Sequence, residues 1–317
     1  MNAMRSDDKI LIAGHRGLVG SALARRLRSD GYGNLLTPGS EELDLRDQSA
    51  TEAYMDSHKP DLVFLCAAKV GGILANDRFA AEFIRDNLAI QTNLIHAAWR
   101  SGTRKFLFLG SSCIYPKQAK QPIRESSLLT GPLEPTNQWY AIAKIAGIRM
   151  CQAYRKQYGF DAVCAMPTNL YGPGDNFHPD HSHVVPGLIR RFHEAAQNRS
   201  AEVTIWGTGA PLRELMHVDD AASALAHIMN RYSSPEIINV GSGYEISIIH
   251  LAEMISEIVG FRGEIKLDPT KPDGTMRKRL DISTLSALGW QGEISLREGI
   301  ARTYDWYLTN AYRAEMQ

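Results

Sequence analysis

Tyr140 and Lys144 stand four residues apart in Tyr140-Ala141-Ile142-Ala143-Lys144. On a helix that spacing puts a phenol and an ammonium on one face. An ammonium beside a phenol stabilises the phenolate and lowers the Tyr pKa, so the pair can exchange a proton with a substrate oxygen near neutral pH. Taken alone, the pair also fits a helix surface that does no chemistry. Gly110-Ser111-Ser112-Cys113-Ile114-Tyr115-Pro116, directly after the apolar run Lys105–Leu109, adds a hydroxyl for the same oxygen. In open α/β sheets the carboxyl ends of strands face the ligand crevice, so Ser111, Tyr140 and Lys144 form a candidate proton-transfer set.

Gly14-His15-Arg16-Gly17-Leu18-Val19-Gly20 follows an apolar strand and opens a helix. Its spacing is GxxGxxG rather than GxGxxG, but the physics is shared. Residues without Cβ let the chain turn tightly and approach a pyrophosphate at the free N–H groups of a helix N-terminus. The nicotinamide it would hold is NAD or NADP. An acid about 20 positions on, at the end of the second strand, would bond the ribose hydroxyls of NAD. Leu35-Leu36-Thr37-Pro38-Gly39-Ser40 offers none, and Arg16 is a candidate for a 2′-phosphate, which tilts the reading towards NADP. A solvated loop cation is the plain alternative for Arg16. Asp44, in Glu42-Leu43-Asp44-Leu45, is placed nearer the adenine than the ribose.

These groups need a sheet to position them. Apolar runs at Lys9–Ala13, Asn34–Leu36, Asp61–Ala67, Lys105–Leu109 and Asp161–Met166, the last stopped by Pro167, alternate with helical periodicity at Gly17–Ser29, Ser49–Lys59, Arg78–Ser101 and Trp139–Tyr158. That alternation predicts βαβ units and a doubly wound parallel sheet. In the long helix, Ile84, Leu88, Thr92 and Ile95 mark one face. From Tyr171 to His183 the chain is rich in Gly, Pro, Asp and His, a long loop. Helices at Val185–Gln197, Asp219–Arg231, Ser247–Val259 and Leu296–Thr309 then alternate with the runs Val203–Trp206, Ile237–Val240 and Glu264–Leu267. The expected division is a Rossmann-type dinucleotide domain of residues 1–170 with 212–235, and a smaller C-terminal α/β substrate domain of 171–211 with 236–317.

Composition bounds the function. The chain has 317 residues, 35 Lys and Arg against 35 Asp and Glu, 44% hydrophobic and 22% charged residues. Zero formal charge argues against a dedicated nucleic-acid or anionic-membrane binder, whose surfaces carry a basic excess. No apolar run approaches the ~20 residues of a membrane helix, and Met1 to Asp8 is polar, so a soluble, cytoplasmic protein is expected. Cys66, Cys113, Cys151 and Cys164 show no CxxC spacing, which fits reduced thiols. His178, His181 and His183 with Asp175 and Asp180 collect ligand types, but without metal-ligand helix spacing no metal is expected.

Taken together, GxxGxxG, the strand-end Ser and YxxxK resemble the extended short-chain dehydrogenase/reductase family over nearly the whole chain. More specific are AAKVGG (Ala67–Gly72), GSSCIYP (Gly110–Pro116), LEPTN (Leu133–Asn137), YAIAKIAG (Tyr140–Gly147), MPTNLYGP (Met166–Pro173), DNFHP (Asp175–Pro179), SHVVPGLIRRFHEA (Ser182–Ala195), LRELMHVDD (Leu212–Asp220) and KPDGTMRK (Lys271–Lys278). Their order is similar to members that combine 3,5-epimerisation with NADPH-dependent 4-reduction of GDP-4-keto-6-deoxy-D-mannose.

The resemblance implies that Tyr140 donates a proton to the C4 oxygen, that Lys144 lowers its pKa and orients the cofactor ribose, and that Ser111 holds the sugar carbonyl. It implies Cys113 and His183 as base and acid at C3 and C5. Such chemistry suits a thiolate and an imidazole. It implies cofactor contacts at Gly14, His15, Arg16, Gly17, Leu18, Val19, Gly20, Ser40, Leu43, Asp44, Ala67, Ala68, Lys144, Pro167, Thr168, Asn169, Leu170 and His183. Arg191 and Arg213 would meet the substrate diphosphate, with Trp206, Asp273 and Lys278 lining the nucleotide-sugar pocket. A homodimer built on the two long helices is implied as well. Ser40 stands where some relatives carry a basic residue.

Two other readings exist. A 4-epimerase, 4-reductase or 4,6-dehydratase on a nucleotide-sugar would keep Ser, Tyr and Lys without needing Cys113 and His183, and dehydratases carry an acidic pair where Ser112-Cys113 stands. A non-catalytic dinucleotide sensor would commonly lose the Tyr or the Lys, and both are present.

Overall fold

A computed structural model describes residues 3–72, 76, 78–179, 182–271 and 273–311 of the chain. Asp180 and His181 lie outside the described residues. Six parallel strands form the main sheet: β1 (Ile10–Ala13), β2 (Leu35–Leu36), β3 (Leu62–Leu65), β4 (Lys105–Leu109), β5 (Ala162–Pro167) and β9 (Ile237–Val240), in the spatial order β2-β1-β3-β4-β5-β9. Their residues are apolar without alternation because helices cover both faces. On one face lie α1 (Leu18–Ser29) and α6 (Val218–Arg231), with Leu23, Leu27, Leu225 and Ile228 in a core shared with Ile10, Ile12 and Phe64. The other face carries α2 (Gln48–His58), α3 (Ala80–Arg100) and α4 (Gln138–Tyr158), packed around Leu11, Val63, Phe106 and Phe108. Phe64, Phe106 and Phe108 are completely buried. Each such side chain contributes about 1.5–3 kcal/mol relative to exposure.

β2 and β3 flank β1 on opposite sides, so the strand order reverses there and opens a crevice at the carboxyl ends of β1 and β3. The glycine loop follows β1, and Ala67-Ala68 follows β3.

Two details depart from the sequence pattern. The buried face of α3 runs through Phe83, Asn87, Gln91, Leu94 and Ala98, while Thr92 is exposed. Polar residues turn it inward: Asn87 Nδ2 donates to Phe83 O and Lys69 O, and Gln91 Nε2 donates to Ala143 O on α4. Pro167 is the last residue of β5 rather than its stop, paired with Val240.

The second region holds β6 (Asn169–Tyr171), α5 (Val184–Gln197), β7 (Glu202–Trp206), β8 (Leu212–His217), β10 (Glu245–Ser247), α7 (Ile248–Val259), β11 (Glu264–Asp268), β12 (Arg277–Lys278), α8 (Ser283–Ala287) and α9 (Leu296–Trp306). β8 is the hub of a small sheet with β6, β10 and β12, and β7 pairs with β11. A separate core of Phe177, Ile189, Phe192, Leu251 and Ile300 supports them. Sheet membership moves the expected domain boundaries. Ile237–Val240 completes the main sheet, because its buried residues extend the β5 edge, whereas Leu212–His217 belongs to the small one.

Candidate active site

The glycine loop is shaped by space. Gly14 has φ +89°, and a Cβ there would lie 2.6 Å from the Ala67 nitrogen. A Cβ on Gly20 would lie 2.1 Å from the Gly14 carbonyl oxygen. Loop, helix and the end of β3 are therefore in backbone contact. Gly17 begins α1 without a side-chain cap, so the first-turn N–H groups stay available to an anion. A cradle that any Cβ would fill, with free N–H donors above it, fits a dinucleotide pyrophosphate. Leu18 and Val19 pack against the core below, and Leu43 is buried in the core across the sheet.

The ribose end is more crowded than the sequence pattern suggested. Arg16 donates two hydrogen bonds to Glu41, at 2.9 and 2.5 Å. Arg16 holds the Glu41 carboxyl below its ordinary pKa. Glu41 lies one residue beyond the strand-end stretch Leu35–Ser40, and buried Gly39 makes room for it: a Cβ there would sit 2.2 Å from Glu41 Oε1. Ser40 is exposed. Asp44 accepts from the Arg46 side chain and backbone N–H, which draw its pKa down.

At the end of β4, Ser111 begins a short 3-10 turn (Ser112–Ile114), its hydroxyl accepting from the Cys113 N–H at 3.2 Å. α4 crosses behind it, close because Gly147 has no Cβ; one there would lie 2.5 Å from Phe108 Cζ. Lys144 is buried at that crossing and donates to Leu109 O at 2.8 Å. Burial lowers its pKa to about 8. The expected depression of Tyr140 by Lys144 is not what the geometry yields. The ammonium stands 5.7 Å from the Tyr140 ring centroid, and burial, with Cys113 adding to it, pushes the phenol above its ordinary value. The phenol is protonated at neutral pH, the form that can give a proton, while the upward shift makes it a weaker acid than a free tyrosine.

Cys113 is partly buried, with two nitrogens against its sulfur: Asn137 Nδ2 at 3.4 Å and Lys278 Nζ at 3.8 Å. Lys278 reaches across from β12, so the small sheet supplies a cation to the turn after β4. Cys66, by contrast, is pushed up to about 12 by burial, an inert thiol. His183 precedes α5 with its imidazole half-exposed and 3.8 Å from the Asp175 carboxylate, which raises the His183 pKa. Among the described residues no hydrogen bond or ion pair joins it to Cys113, and no group of three His, Cys, Asp or Glu could hold a metal ion.

The remaining cations line the second region. Arg213 on β8 is the register partner of Lys278. Arg191 on α5 donates to Thr204 O at 3.0 Å. An open pocket of about 490 Å³ is lined by Arg191, Glu194, Asn198, Glu202, Thr204 and Trp206. Trp206 is exposed, with Lys271 Nζ 5.8 Å from its ring centroid. Asp273 accepts from the N–H and hydroxyl of Thr208, so it braces the turn after Trp206. Pro167, Thr168, Asn169 and Leu170 form the crossing between the sheets: Thr168 N–H donates to Val240 O, and Asn169 Nδ2 to Glu214 O.

Residues 10–241 match the model of the NAD dependent epimerase/dehydratase family. The chain belongs to that family. Among its relatives, GDP-L-fucose synthase 1 of Arabidopsis thaliana is 59% identical over 95% of this chain and 94% of its own length. GDP-L-fucose synthase of Escherichia coli (strain K12) is 51% identical over 97% and 99%. A GDP-L-fucose synthetase from Naegleria fowleri, solved bound to NADP, superposes with a TM-score of 0.91 at 30% identity over 98% and 96% of the two chains.

Within this member of the epimerase/dehydratase family, sequence reasoning passed over Asn137, Glu41 and Glu214. Asn137 stood inside the quoted LEPTN motif without a role. Glu214 stood inside LRELMHVDD; it is completely buried and accepts from the Gly243 and Leu280 N–H groups, tying β8 to the segments that carry Lys278 and the turn before β10. Burial raises its pKa.

Proposed function

We propose that the chain converts GDP-4-keto-6-deoxy-D-mannose to GDP-L-fucose as a combined 3,5-epimerase and NADPH-dependent 4-reductase. The observation that carries this reading is the meeting of Cys113 with Lys278 beside Tyr140 and Lys144: a thiol base site built into a reductase site. The kinship with GDP-L-fucose synthases supports it.

The C4 ketone acidifies the hydrogens on C3 and C5. Cys113 as thiolate takes such a proton; the C–H bond breaks, an S–H bond forms and the electron pair moves into the enolate. Lys278 offers a countercharge to the sulfur. His183, favoured in its protonated form by Asp175, returns a proton on the opposite face. Ser111 holds the C4 oxygen and Tyr140 protonates it. NADPH, when bound, would supply the hydride for C4; Gly14, Gly17 and Gly20 would admit its pyrophosphate, Lys144 would hold its ribose and Arg16 its 2′-phosphate. Arg191 and Arg213 hold the substrate diphosphate, and Trp206 stacks at the nucleotide end. In this reading residues 1–167 with 218–240 bind cofactor, and the rest binds the nucleotide-sugar.

The enzyme acts as a homodimer through α3 and α4. These helices pack on each other and leave Trp139, Ile142 and Tyr158 exposed. No helix among the described residues is long and apolar enough to cross a membrane.

The test is incubation with GDP-4-keto-6-deoxy-mannose and NADPH or NADH, with product stereochemistry read by NMR. Inversion at C3 and C5 with reduction at C4 is expected, and Tyr140→Phe should lower the reduction rate by roughly 10²–10⁴. Unchanged sugar with both cofactors would sink the reading, and equal rates would sink the NADPH preference.

A further inference from the structure

Asn137 is the residue before α4, one helical turn ahead of Tyr140. The 3-10 turn Pro135–Asn137 runs directly into that helix, and the Asn137 side chain does not cap it. Its carboxamide turns instead to the site, where Nδ2 donates to Cys113 Sγ at 3.4 Å while Oδ1 is buried without a partner. A buried amide oxygen left unpaired is costly.

We infer that Asn137 is a positioning residue for the epimerisation, aiming the Cys113 sulfur through Nδ2 and receiving a sugar hydroxyl at Oδ1. This rests on the proposed role of Cys113 as base. A cysteine side chain has one free torsion, so a sulfur that must meet a C–H hydrogen needs its rotamer fixed from outside. Two groups hold the Cys113 sulfur from two elements, and a third holds its backbone. Ser111 Oγ accepts from its backbone N–H, Lys278 approaches the sulfur from β12, and Asn137 donates to it from the head of α4. The amide N–H and the ammonium engage sulfur electron density on their own sides, and a further lone pair is left for the arriving proton. The hydroxyl groups of a hexose on carbons neighbouring the acidified C–H are the donors that suit an amide oxygen next to the sulfur. Because Asn137 and Tyr140 share one helix end, the same amide sets the spacing between the proton taken at carbon and the proton given at the C4 oxygen.

The experiment compares Asn137→Ala, Asn137→Asp and Cys113→Ser in the full chain. Solvent-deuterium wash-in at C3 and C5 is followed by NMR without NADPH, and C4 reduction is followed separately with NADPH on the 4-keto sugar already inverted at C3 and C5. Asn137→Asp keeps size and acceptor but removes the donor to sulfur, so it guards against a packing defect in Asn137→Ala. Both Asn137 variants are expected to slow wash-in by roughly 10- to 100-fold, the scale of losing hydrogen bonds to a charged group, with C4 reduction changed less than about threefold. The expected loss lies in the rate of exchange rather than in KM for Asn137→Asp, and in both for Asn137→Ala, which also loses the hydroxyl acceptor. Wash-in unchanged in both Asn137 variants, or wash-in and reduction falling by one common factor, overturns the inference. If Cys113→Ser exchanges both positions at the full rate, the role of Cys113 itself fails. If Cys113→Ser loses exchange while the Asn137 variants keep it, only the inference about Asn137 falls.

Discussion

Around the glycine loop, contact is made by removing side chains; across β8 and β12 it is made by extending them. Gly14 and Gly20 leave no room for a Cβ against Ala67 and the loop itself, so backbone lies on backbone. On the other side, Arg213 and Lys278 project long charged side chains from two strands of a small sheet, one of them as far as Cys113. The first construction is rigid and all-or-none. The second tolerates change in shape and fails through lost charge, because each guanidinium or ammonium acts at the end of a flexible stem. The candidate site lies where the two sheets meet, with Ser111, Tyr140 and Lys144 on the side of the main sheet and Lys278 reaching over from the small one.

This contrast can be broken by substitution. Gly20→Ala should be the most damaging, since its methyl group would lie 2.1 Å from the Gly14 carbonyl oxygen. A forced shift of α1 away from the loop is expected to cost about 1–3 kcal/mol of stability and most of the cofactor affinity together. Calorimetry of the dinucleotide and thermal melting check this; an unchanged melt with full affinity would mean the loop is not built by close approach. Arg213→Met should leave the melt nearly untouched yet raise KM for the nucleotide-sugar by roughly 10- to 100-fold, the loss of a charge-assisted hydrogen bond. If melt and KM moved together, the small sheet would be as all-or-none as the large one.

Asp175→Asn sharpens the picture on the second side. Asp175 raises the His183 pKa, so the imidazolium persists to higher pH than an ordinary histidine. Removing the carboxylate should move the alkaline limb of epimerisation to lower pH, as read from deuterium exchange across a pH series. The same pairing stabilises the fold below the ordinary histidine pKa, and that contribution disappears as pH rises through the raised one. Smallest is Glu41→Gln. The Arg16–Glu41 pair is exposed, and such pairs are worth about 0.2–1 kcal/mol. Freeing Arg16 and removing a carboxylate near the 2′-phosphate should tighten NADPH by roughly two- to fivefold. NADH binding should weaken slightly or stay, and a tighter fit for both cofactors would show that Glu41 does not discriminate between them.

Much of the main sheet was legible because its signals are local. KILIA, DLVFLCA and KFLFL are continuous apolar runs with helical periodicity between them, and they became β1, β3 and β4. The small sheet was not legible. Leu212–His217 reads as a charged motif, and β6, β10 and β12 are two or three residues long, so neither alternation nor length could betray them. The inward face of α3 was misjudged because Asn87 and Gln91 bury amides to bond carbonyls elsewhere in the fold. At the site, residue types and spacing pointed to Ser111, Tyr140, Lys144 and the three glycines. Glu41 stands one residue past the strand-end stretch Leu35–Ser40, and Asn137 carried no signal of its own.

By itself the sequence determined the βαβ order, the glycine turn and the candidate site residue types, since each follows from the identity and spacing of near neighbours in the chain. Only the tertiary structure decided the environments: Lys144 turned to the Leu109 carbonyl, the Tyr140 pKa raised by burial, and the Cys113 sulfur set between Asn137 and Lys278. Cys113 and Lys278 are 165 residues apart. Burial and charge pairing depend on distance in space, and chain closure over such a separation is settled by the packing of two sheets rather than by any local pattern.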